Sequence, residues 1–262
     1  PKIVWQKYLG KAEDIAAAMG APSQVPEPRE IVLSDFAAPA ALYDLTQKLD
    51  LIPTIDRHAG KRNQGVSVGT YMALAAINRC LAPTSKAAMA EWYQGTVLRR
   101  LLAVPSNLLS SQRFWDHMSY LDADKISAIE QDLTRTLIDR FQIGLSCLLY
   151  DTTNFYTFID SFNDAPTLAQ RGKSKEKRMD LRIVGLALLV TKDFHIPLFH
   201  EVYPGNTHDS TQFASATEAL VARYRLFSQS VNGITLVYDK GNNSHENQAR
   251  GDDSPYHFVG SL

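Results

Sequence analysis

The stretch Leu145-Ser-Cys-Leu-Leu-Tyr-Asp-Thr-Thr-Asn154 decides the fold, because the sequence changes its character there. The apolar run from Leu145 to Tyr150 is nearly continuous, which is typical of a central strand covered on both faces. The run Ile234-Thr-Leu-Val-Tyr238 has the same form, and each run is followed at once by an aspartate. We predict that Asp151 and Asp239 lie where two buried strands end.

The segments around these two runs predict an α/β layer. A hairpin is indicated by Leu181–Val190 and Ile196–Tyr203, which turn at Lys192 and Asp193. A helix opened by the capping-box pattern at residues 209–212 is expected next, and after the second run a short helix over 242–250 and a strand over 257–262. The order strand, hairpin, helix, strand, helix, strand indicates a mixed sheet.

The sequence before Gly144 predicts helices. Apolar residues recur at three-to-four spacing, most clearly over Ile126–Phe141, and Asp122 and Asp124 precede that stripe as candidate N-caps. Prolines at positions 22, 26 and 28 indicate a linker. We therefore divide the chain into a strand/helix piece with a Pro-rich linker (1–34), an all-helical region (35–143) and an α/β region (144–262).

The composition excludes several classes of protein. The chain has 262 residues, of which 45% are hydrophobic, and this is ample for a core. No run approaches the about eighteen apolar residues of a membrane helix, and no signal-peptide layout opens the chain, so we expect no membrane and a cytoplasmic location. Cys80 and Cys147 have no metal-binding spacing and are expected to be buried, reduced thiols. The formal charge of −1 gives no global preference for nucleic acid.

Asp151 and Asp239 are candidate ligands of a divalent metal. Two carboxylates from adjacent strand ends can share a hard cation such as Mg²⁺. The alternative is that each aspartate caps a turn, since Asp is common after strands. Gly241 and Asn242 then predict a tight turn into a helix start, whose free amides would face a phosphate.

One loop concentrates positive charge. The segment Arg171-Gly-Lys-Ser-Lys-Glu-Lys-Arg-Met-Asp-Leu-Arg182 contains six basic residues. Such a loop predicts contacts with a phosphate backbone that are salt-dependent and independent of base sequence. The alternative is a charged loop that is simply solvated. The candidate DNA-binding residues are Arg171, Lys173, Lys175, Lys177, Arg178, Arg182 and Asn242.

Histidines and aromatic residues of this half support weaker hypotheses. His195, His200 and His208 invite a zinc interpretation, but their positions lack the spacing of a closed zinc site, and His200 is more typical of a packed strand histidine. Phe155 and Tyr156 are candidates for stacking on a nucleic-acid base, and the alternative is that both belong to the core.

Four segments together resemble the DDE transposases of prokaryotic insertion sequences. They are Tyr150-Asp-Thr-Thr-Asn-Phe155, Arg171-Gly-Lys-Ser-Lys-x-Lys-Arg-x-Asp-Leu181, Pro197-Leu-x-x-Glu-Val-Tyr-Pro-Gly-Asn-Thr-His208 and Val237-Tyr-Asp-Lys-Gly-Asn-Asn243. Residues around 51–56, 67–69 and 77–83 resemble the N-terminal region of the same family, so the resemblance covers most of the chain.

The resemblance implies a ribonuclease-H-like sheet in which Asp151 and Asp239 are the first and second metal-binding acids. It implies two Mg²⁺ or Mn²⁺ ions, hydrolysis of a phosphodiester at a transposon end, and attack of the freed 3′-hydroxyl on target DNA. It also implies double-stranded DNA as partner, a homodimer on DNA and a nucleoid-associated location. For the helical region it implies DNA-end binding, with Arg99, Arg100 and Arg113 as candidate contacts, and packing or oligomerisation is the alternative.

The resemblance further implies a third acid, a Glu on a helix beyond the strand that ends at Leu262. We expect the sequence to stop before this residue, and the chain to be inactive or very weak unless a separate piece supplies it. Two alternative functions stay open: a catalytically inactive transposase remnant that only binds DNA or dimerises, and a structure-selective nuclease on the same core.

Overall fold

A computed structural model gives the fold of this protein. It describes residues 11–13, 15, 17, 33–61, 65–159, 166–172, 180–207, 212–213, 217–219, 233–239 and 244–260, the side chains of residues 246 and 250 excepted. The described elements are a set of helices up to residue 141 and a five-stranded sheet after residue 146. The predicted fold class, a mixed sheet preceded by a helical region, is confirmed.

The helical region consists of short helices followed by one long helix. The α-helices are α1 (Ala37–Lys48), α2 (Leu51–Ala59), α3 (Val68–Leu81), α4 (Met89–Gln94), α5 (Leu98–Leu101), α6 (Ser111–Met118) and α7 (Ala123–Phe141). Single 3₁₀ turns lie at Lys86–Ala88 and Ser106–Leu108. Asp122 caps α7 as predicted, because its carboxylate accepts a hydrogen bond of 2.9 Å from the Lys125 N–H.

The core of the helical region is centred on α3. Tyr71, Leu74 and Ile77 of this helix are buried, and they pack with Met89 and Phe114 from α4 and α6. The three-to-four spacing along α3 places these side chains on one face. A separate cluster joins α2 and α3 to α7 through four buried residues, Ile55, Ala59, Val68 and Ile129.

The sheet is mixed and has the strand order β3-β2-β1-β4-β5. Its strands are β1 (Cys147–Thr157), β2 (Arg182–Thr191), β3 (Pro197–Pro204), β4 (Thr235–Tyr238) and β5 (His257–Gly260), and α8 (His245–Asp252) connects β4 to β5. β1, β2 and β3 are antiparallel neighbours, whereas β4 and β5 run parallel to β1. This order and these directions are those of a ribonuclease-H-like sheet.

One face of the sheet is buried and the other is more open. Alternate residues of the three central strands, among them Leu148, Ala187 and Leu236, are fully buried in one cluster. Phe213 packs on this face from the segment after β3, in which residues 212, 213 and 217–219 are helical. Other positions of that predicted helix, such as 209–211, lie outside the described residues. The hydrophobic core of the sheet therefore lies on the face opposite to Asp151.

Two expectations from the sequence need correction. β1 does not end at Asp151 but continues to Thr157, and it pairs with β2 through Thr157 and Arg182. The reason is that the following Thr, Phe and Tyr residues favour a strand and find a partner in β2 after the pairing with β4 has ended at Tyr150.

The two cysteines are less buried than expected. Cys80 is exposed and Cys147 is half-buried; both are free thiols, as predicted. In the described part of the chain, no helix is long and apolar enough to cross a membrane.

The helical region contacts the sheet through α7 and β3. The Thr134 hydroxyl donates a hydrogen bond of 3.2 Å to the Leu198 carbonyl. The Glu130 carboxylate accepts from the His200 N–H at 2.8 Å and also contacts Nδ1 of the His200 ring. These contacts join α7 to an edge strand of the sheet, on the same face that carries Asp151. The division into three parts at residues 34 and 143 stays a prediction.

Candidate active site

The two predicted acids are neighbours at the centre of the sheet. The parallel register of β1 and β4 pairs Tyr150 with Tyr238, so Asp151 and Asp239 follow at equivalent places on adjacent strands. Adjacent strands are about 5 Å apart, and both aspartates are exposed. The register thus brings the two carboxyl groups to one place although 88 positions separate them, as the difference between 239 and 151 shows.

A row of aromatic rings lies under the acids on the buried face. Tyr150 contacts Phe213 at a ring-centroid distance of 5.2 Å, and Phe213 contacts Tyr238 at 4.5 Å. Tyr238 in turn stacks with Phe258 of β5 at 6.2 Å. Burial raises the pKa of the Tyr238 hydroxyl, and the nearby Tyr256 and Asp252 raise it further, so this phenol stays neutral. The row fixes the two strands just before the acids without adding charge beneath them.

The Asp151 carboxylate is held by its own backbone. Its Oδ1 accepts a hydrogen bond of 2.8 Å from the Thr152 N–H. Among the described residues, no cationic side chain pairs with Asp151, so none of these residues neutralises its negative charge. A carboxylate that is exposed, oriented and uncompensated is suited to bind a cation from solution.

The donor set suits a hard divalent cation. Asp151 and Asp239 present carboxylate oxygens, which are the ligands that Mg²⁺ and Mn²⁺ favour. Within the described residues, no group of three or more His, Cys, Asp or Glu side chains is arranged to hold a metal. The assignment of Asp151 and Asp239 as metal ligands therefore stays a prediction, and a complete coordination shell requires further ligands.

The described base of the basic loop packs against the start of β2. Gln170 and Ile183 exchange backbone hydrogen bonds of 3.1 and 2.8 Å, and the Gly205 N–H donates to Leu168 at 3.1 Å. Arg171 is exposed where this segment ends. Gln170 pairs with Ile183 on the side of β2 that faces away from β1, and Ile183 is level with Tyr156 of β1. The loop base is therefore five residues along the strand direction and about two strand spacings across the sheet from Asp151, which together correspond to about 20 Å.

The other predicted DNA-binding residues are placed as follows. Arg182 is buried, with 8% of its surface exposed, and its Nη1 donates to the Ala169 carbonyl at 3.4 Å. In this position Arg182 holds the loop base against β2, and we leave it out of the proposed DNA contacts. Lys173, Lys175, Lys177, Arg178 and Asn242 lie outside the described residues.

The histidine and aromatic residues named in the weaker hypotheses have different environments in the structure. His195 lies in the exposed turn between β2 and β3, whereas His200 pairs with Glu130, so His200 has a partner in the fold. His208 lies outside the described residues. Phe155 is 56% exposed and lies on the same face of β1 as Asp151, because the two are four positions apart in a strand. Tyr156 is half-buried and faces the other way.

A polar cavity in the helical region was not predicted from the sequence. It has a volume of about 620 Å³ and lies between the end of α2, the first turn of α3 and α6. Arg113 in its wall was predicted only as a candidate DNA contact, and no functional role was predicted for Lys61, Tyr71, His117 or Tyr120. No periodicity or motif joins these residues, because they come from separate segments that meet only when the helices pack.

Comparisons with known proteins give structural neighbours only. No protein-family model and no curated protein matches the chain. Among solved structures, it is similar to the Mos1 transposase paired-end complex with the left transposon end, at 10% identity and a TM-score of 0.31, over 76% of this chain. It is also similar to a piggyBac transposase synaptic complex with hairpin DNA, at 11% identity and a TM-score of 0.41, over 89% of this chain. The chain spans 60% of that Mos1 chain and 52% of that piggyBac chain.

Proposed function

We propose that the chain is a DNA transposase of the DDE type. Its activity would be metal-dependent hydrolysis of a phosphodiester at transposon ends, followed by transfer of the freed strand to target DNA. The observation that supports this most is the position of Asp151 and Asp239, two exposed acids directly after paired tyrosines on adjacent parallel strands of a ribonuclease-H-like sheet. Their sequence context, which resembles insertion-sequence transposases, supports the same function.

Asp151 and Asp239 would hold two Mg²⁺ or Mn²⁺ ions. When bound, such ions stabilise the charge that develops on the attacking and leaving oxygens of a phosphodiester. Without a cation, two adjacent carboxylates would repel the DNA backbone, since like charges at this distance interact unfavourably. The hydrogen bond from Thr152 orients the Asp151 carboxylate before any cation arrives, and the buried aromatic row keeps both strands in register.

DNA would cross the open face from the acids toward the basic loop. Arg171 marks the described base of that loop, about 20 Å from Asp151 across the sheet, which is the length of about six base pairs. Loop contacts from Lys173, Lys175, Lys177 and Arg178 would then position the duplex without selecting its sequence. Phe155 lies on the face between these points and would be available to an unpaired base.

Further parts of the proposal come from the family resemblance. They are a third acid on a helix after β5, a contact from Asn242 near the second acid, and a homodimer on two transposon ends. The helical region would bind the DNA ends, and the protein would act at the nucleoid. Because the chain spans between half and three-fifths of the Mos1 and piggyBac chains, the activity of a whole transposase is itself part of the proposal.

The direct test is cleavage of DNA that carries the coding sequence of this chain with its flanks. The expected result is single-strand breaks with 3′-hydroxyl ends at the borders of the element, only when Mn²⁺ or Mg²⁺ is present. Asp151→Asn and Asp239→Asn should each lower the cleavage rate by at least about a hundredfold, because even outer-sphere residues of metal sites are worth tenfold to a hundredfold. Asp193→Asn is the matched control, an exposed aspartate in the turn between β2 and β3.

The outcomes separate the competing functions. Cleavage at the element borders that depends on both acids supports a transposase, whereas breaks spread over any branched DNA support a structure-selective nuclease. If this chain binds the border DNA but does not cut it, with or without a supplied segment carrying the third acid, the inactive remnant is the better description. Cleavage that survives both aspartate substitutions would refute the proposed site.

A further inference from the structure

The cavity of the helical region has the properties of a ligand site that is separate from the two acids. Its volume of about 620 Å³ is within the range of small-molecule sites, about 300 to 1,000 Å³. The residues that matter for its chemistry are Lys61, Tyr71, Leu108, Arg113, His117 and Tyr120. Its described lining residues include the cations Lys61 and Arg113 and no Asp or Glu. Burial raises the pKa of Tyr71, the charge of Arg113 lowers it, and the nearest acid that acts on the lining, Asp116, raises it.

The cationic part of the wall is Arg113 together with Lys61. Arg113 is exposed on α6, and its guanidinium makes no ion pair with any residue that the structure describes. The nearest acid along the helix, Asp116, instead accepts a hydrogen bond of 2.7 Å from Gln112. An unpaired guanidinium at the mouth of a cavity is well suited to bind a phosphate, because its fork of donors matches the phosphate oxygens.

The inner part of the wall is aromatic and rigid. The Tyr71 and His117 rings are in contact, with centroids 4.0 Å apart, and they are only 1% and 5% exposed. The Tyr71 hydroxyl donates to the Leu108 carbonyl at 2.7 Å. Both rings are therefore held before any ligand binds, which lowers the entropy cost of binding.

His117 offers one nitrogen to a ligand. Its Nδ1 lies 2.6 Å from the Arg113 carbonyl, and because a carbonyl only accepts, this nitrogen carries the hydrogen. In the neutral ring, Nε2 is then an acceptor, and no residue of the described part of the chain bonds to it. Tyr120, which is 40% exposed, lies at the rim with its ring centroid 6.3 Å from that of His117. His117 and Tyr120 both line the cavity, so a ligand ring in it has an acceptor nitrogen and an aromatic surface nearby.

We propose that this cavity binds a nucleotide, with the phosphate on Arg113, the base against Tyr120, and a base N–H donated to His117 Nε2. A phosphate alone would leave the aromatic wall unused, and an aromatic ring alone would leave the Arg113 guanidinium unused. The same chemistry is offered by a free nucleotide and by a nucleotide at the unpaired end of a DNA strand. The site does not depend on the proposed transposase activity, because none of its residues belongs to the sheet.

The experiment measures binding of deoxyadenosine monophosphate and of deoxyadenosine to the full chain by titration calorimetry. In the wild-type protein the monophosphate should bind at least about tenfold more tightly, since a hydrogen bond to a charged group contributes about 1.5 to 3 kcal/mol. In Arg113→Ala this preference should fall toward one, and in Arg79→Ala, an exposed arginine of α3 that is not among the described lining residues, it should stay.

Two more variants test the base contacts. His117→Asn retains a donor for the Arg113 carbonyl but lacks Nε2, so it should weaken both ligands by about the same factor, roughly tenfold. If this buried variant unfolds, Tyr120→Ala at the exposed rim gives the same information, with an expected loss of about fivefold to a hundredfold from lost stacking. Asp151→Asn should bind like the wild type, which separates this site from the acids.

The two sources of the nucleotide are distinguished by a short 5′-phosphorylated oligodeoxyadenylate. Tighter binding of this strand than of the monophosphate assigns the cavity to a DNA strand end, and equal binding assigns it to the free nucleotide. The proposal is overturned if the monophosphate does not bind, or if Arg113→Ala retains the preference for the phosphorylated ligand.

Discussion

The sheet and the helical region position their polar side chains in different ways. On the sheet, Asp151 and Asp239 are brought together by backbone register, because each directly follows one of two buried tyrosines that are paired on adjacent strands. In the helical region, the cavity residues come from α2, α3 and α6 and are held by side-chain bonds to carbonyls and by ring contacts. A site on the sheet is therefore visible in local sequence, whereas a site among the helices is a product of packing.

This difference predicts that the acids depend on the aromatic row beneath them. Tyr238→Ala should lower the free energy of unfolding by about 3 to 5 kcal/mol, because a large side chain that is 4% exposed leaves a cavity between Phe213 and Phe258. Urea denaturation followed by circular dichroism measures this change. Tyr120→Ala at the helical cavity is the matched control and should change stability by less than about 0.5 kcal/mol, because that ring is 40% exposed.

Equal losses in the two variants would mean that the rim of the helical cavity is as much part of the core as the row under the acids. The contrast between the two regions would then be wrong. Tyr238→Phe sharpens the result, since it keeps the ring contacts and removes only the hydroxyl.

The second prediction concerns the close packing of the base of the basic loop against the sheet. A Cβ added at Gly172 would lie 1.9 Å from the Gly205 carbonyl oxygen, so Gly172→Ala must move one backbone segment away from the other. The expected loss of stability is about 1 to 3 kcal/mol, as for other overpacked sites, measured by the same denaturation. Gly144→Ala is the control, because nothing lies within 4 Å of its added Cβ.

Should Gly172→Ala prove as stable as Gly144→Ala, the loop base would not be held against β3. If Gly172→Ala instead binds DNA more weakly while its stability is unchanged, the loop itself contacts DNA.

The smallest expected effect concerns the contact between the two regions. Thr134→Val keeps the shape of the side chain but removes the hydroxyl that donates to Leu198, which should cost about 1 kcal/mol. Thr136→Val is the control within α7, since that hydroxyl bonds to Asp132 of its own helix. Once Trp5 is replaced by Phe, the remaining tryptophans, Trp92 and Trp115, both lie in the helical region. Fluorescence then reports that region, while circular dichroism reports the whole chain. A loss in Thr136→Val equal to that in Thr134→Val would show that the hydroxyl matters only within α7.

Much of the sheet was predictable from sequence, and the reason is local. The runs before Asp151 and Asp239, the turn at Lys192 and the cap at Asp122 are encoded within a few residues, and each was confirmed. The continuation of β1 to Thr157 was missed, because the partner that extends it, β2, is about thirty residues away in sequence. The burial of Arg182 was missed for a similar reason, since its cover is the segment around Ala169.

The helical cavity could not have been predicted in the same way. His117 and Tyr71 are ordinary core positions by spacing, and their contact depends on how α3 and α6 cross. Arg113 stands out only because, among the residues that the structure describes, no acid pairs with it. The metal ligands stay a prediction, supported by position and chemistry.

The measurement that most directly tests the account is Mn²⁺ binding to this chain by titration calorimetry. The account predicts that the wild-type chain and Asp193→Asn bind Mn²⁺ alike, and that Asp151→Asn and Asp239→Asn each weaken binding by at least about tenfold, because a hard cation loses one of its carboxylate ligands. Mn²⁺ binding that is the same in all four proteins would contradict the central claim that these two acids form a metal site.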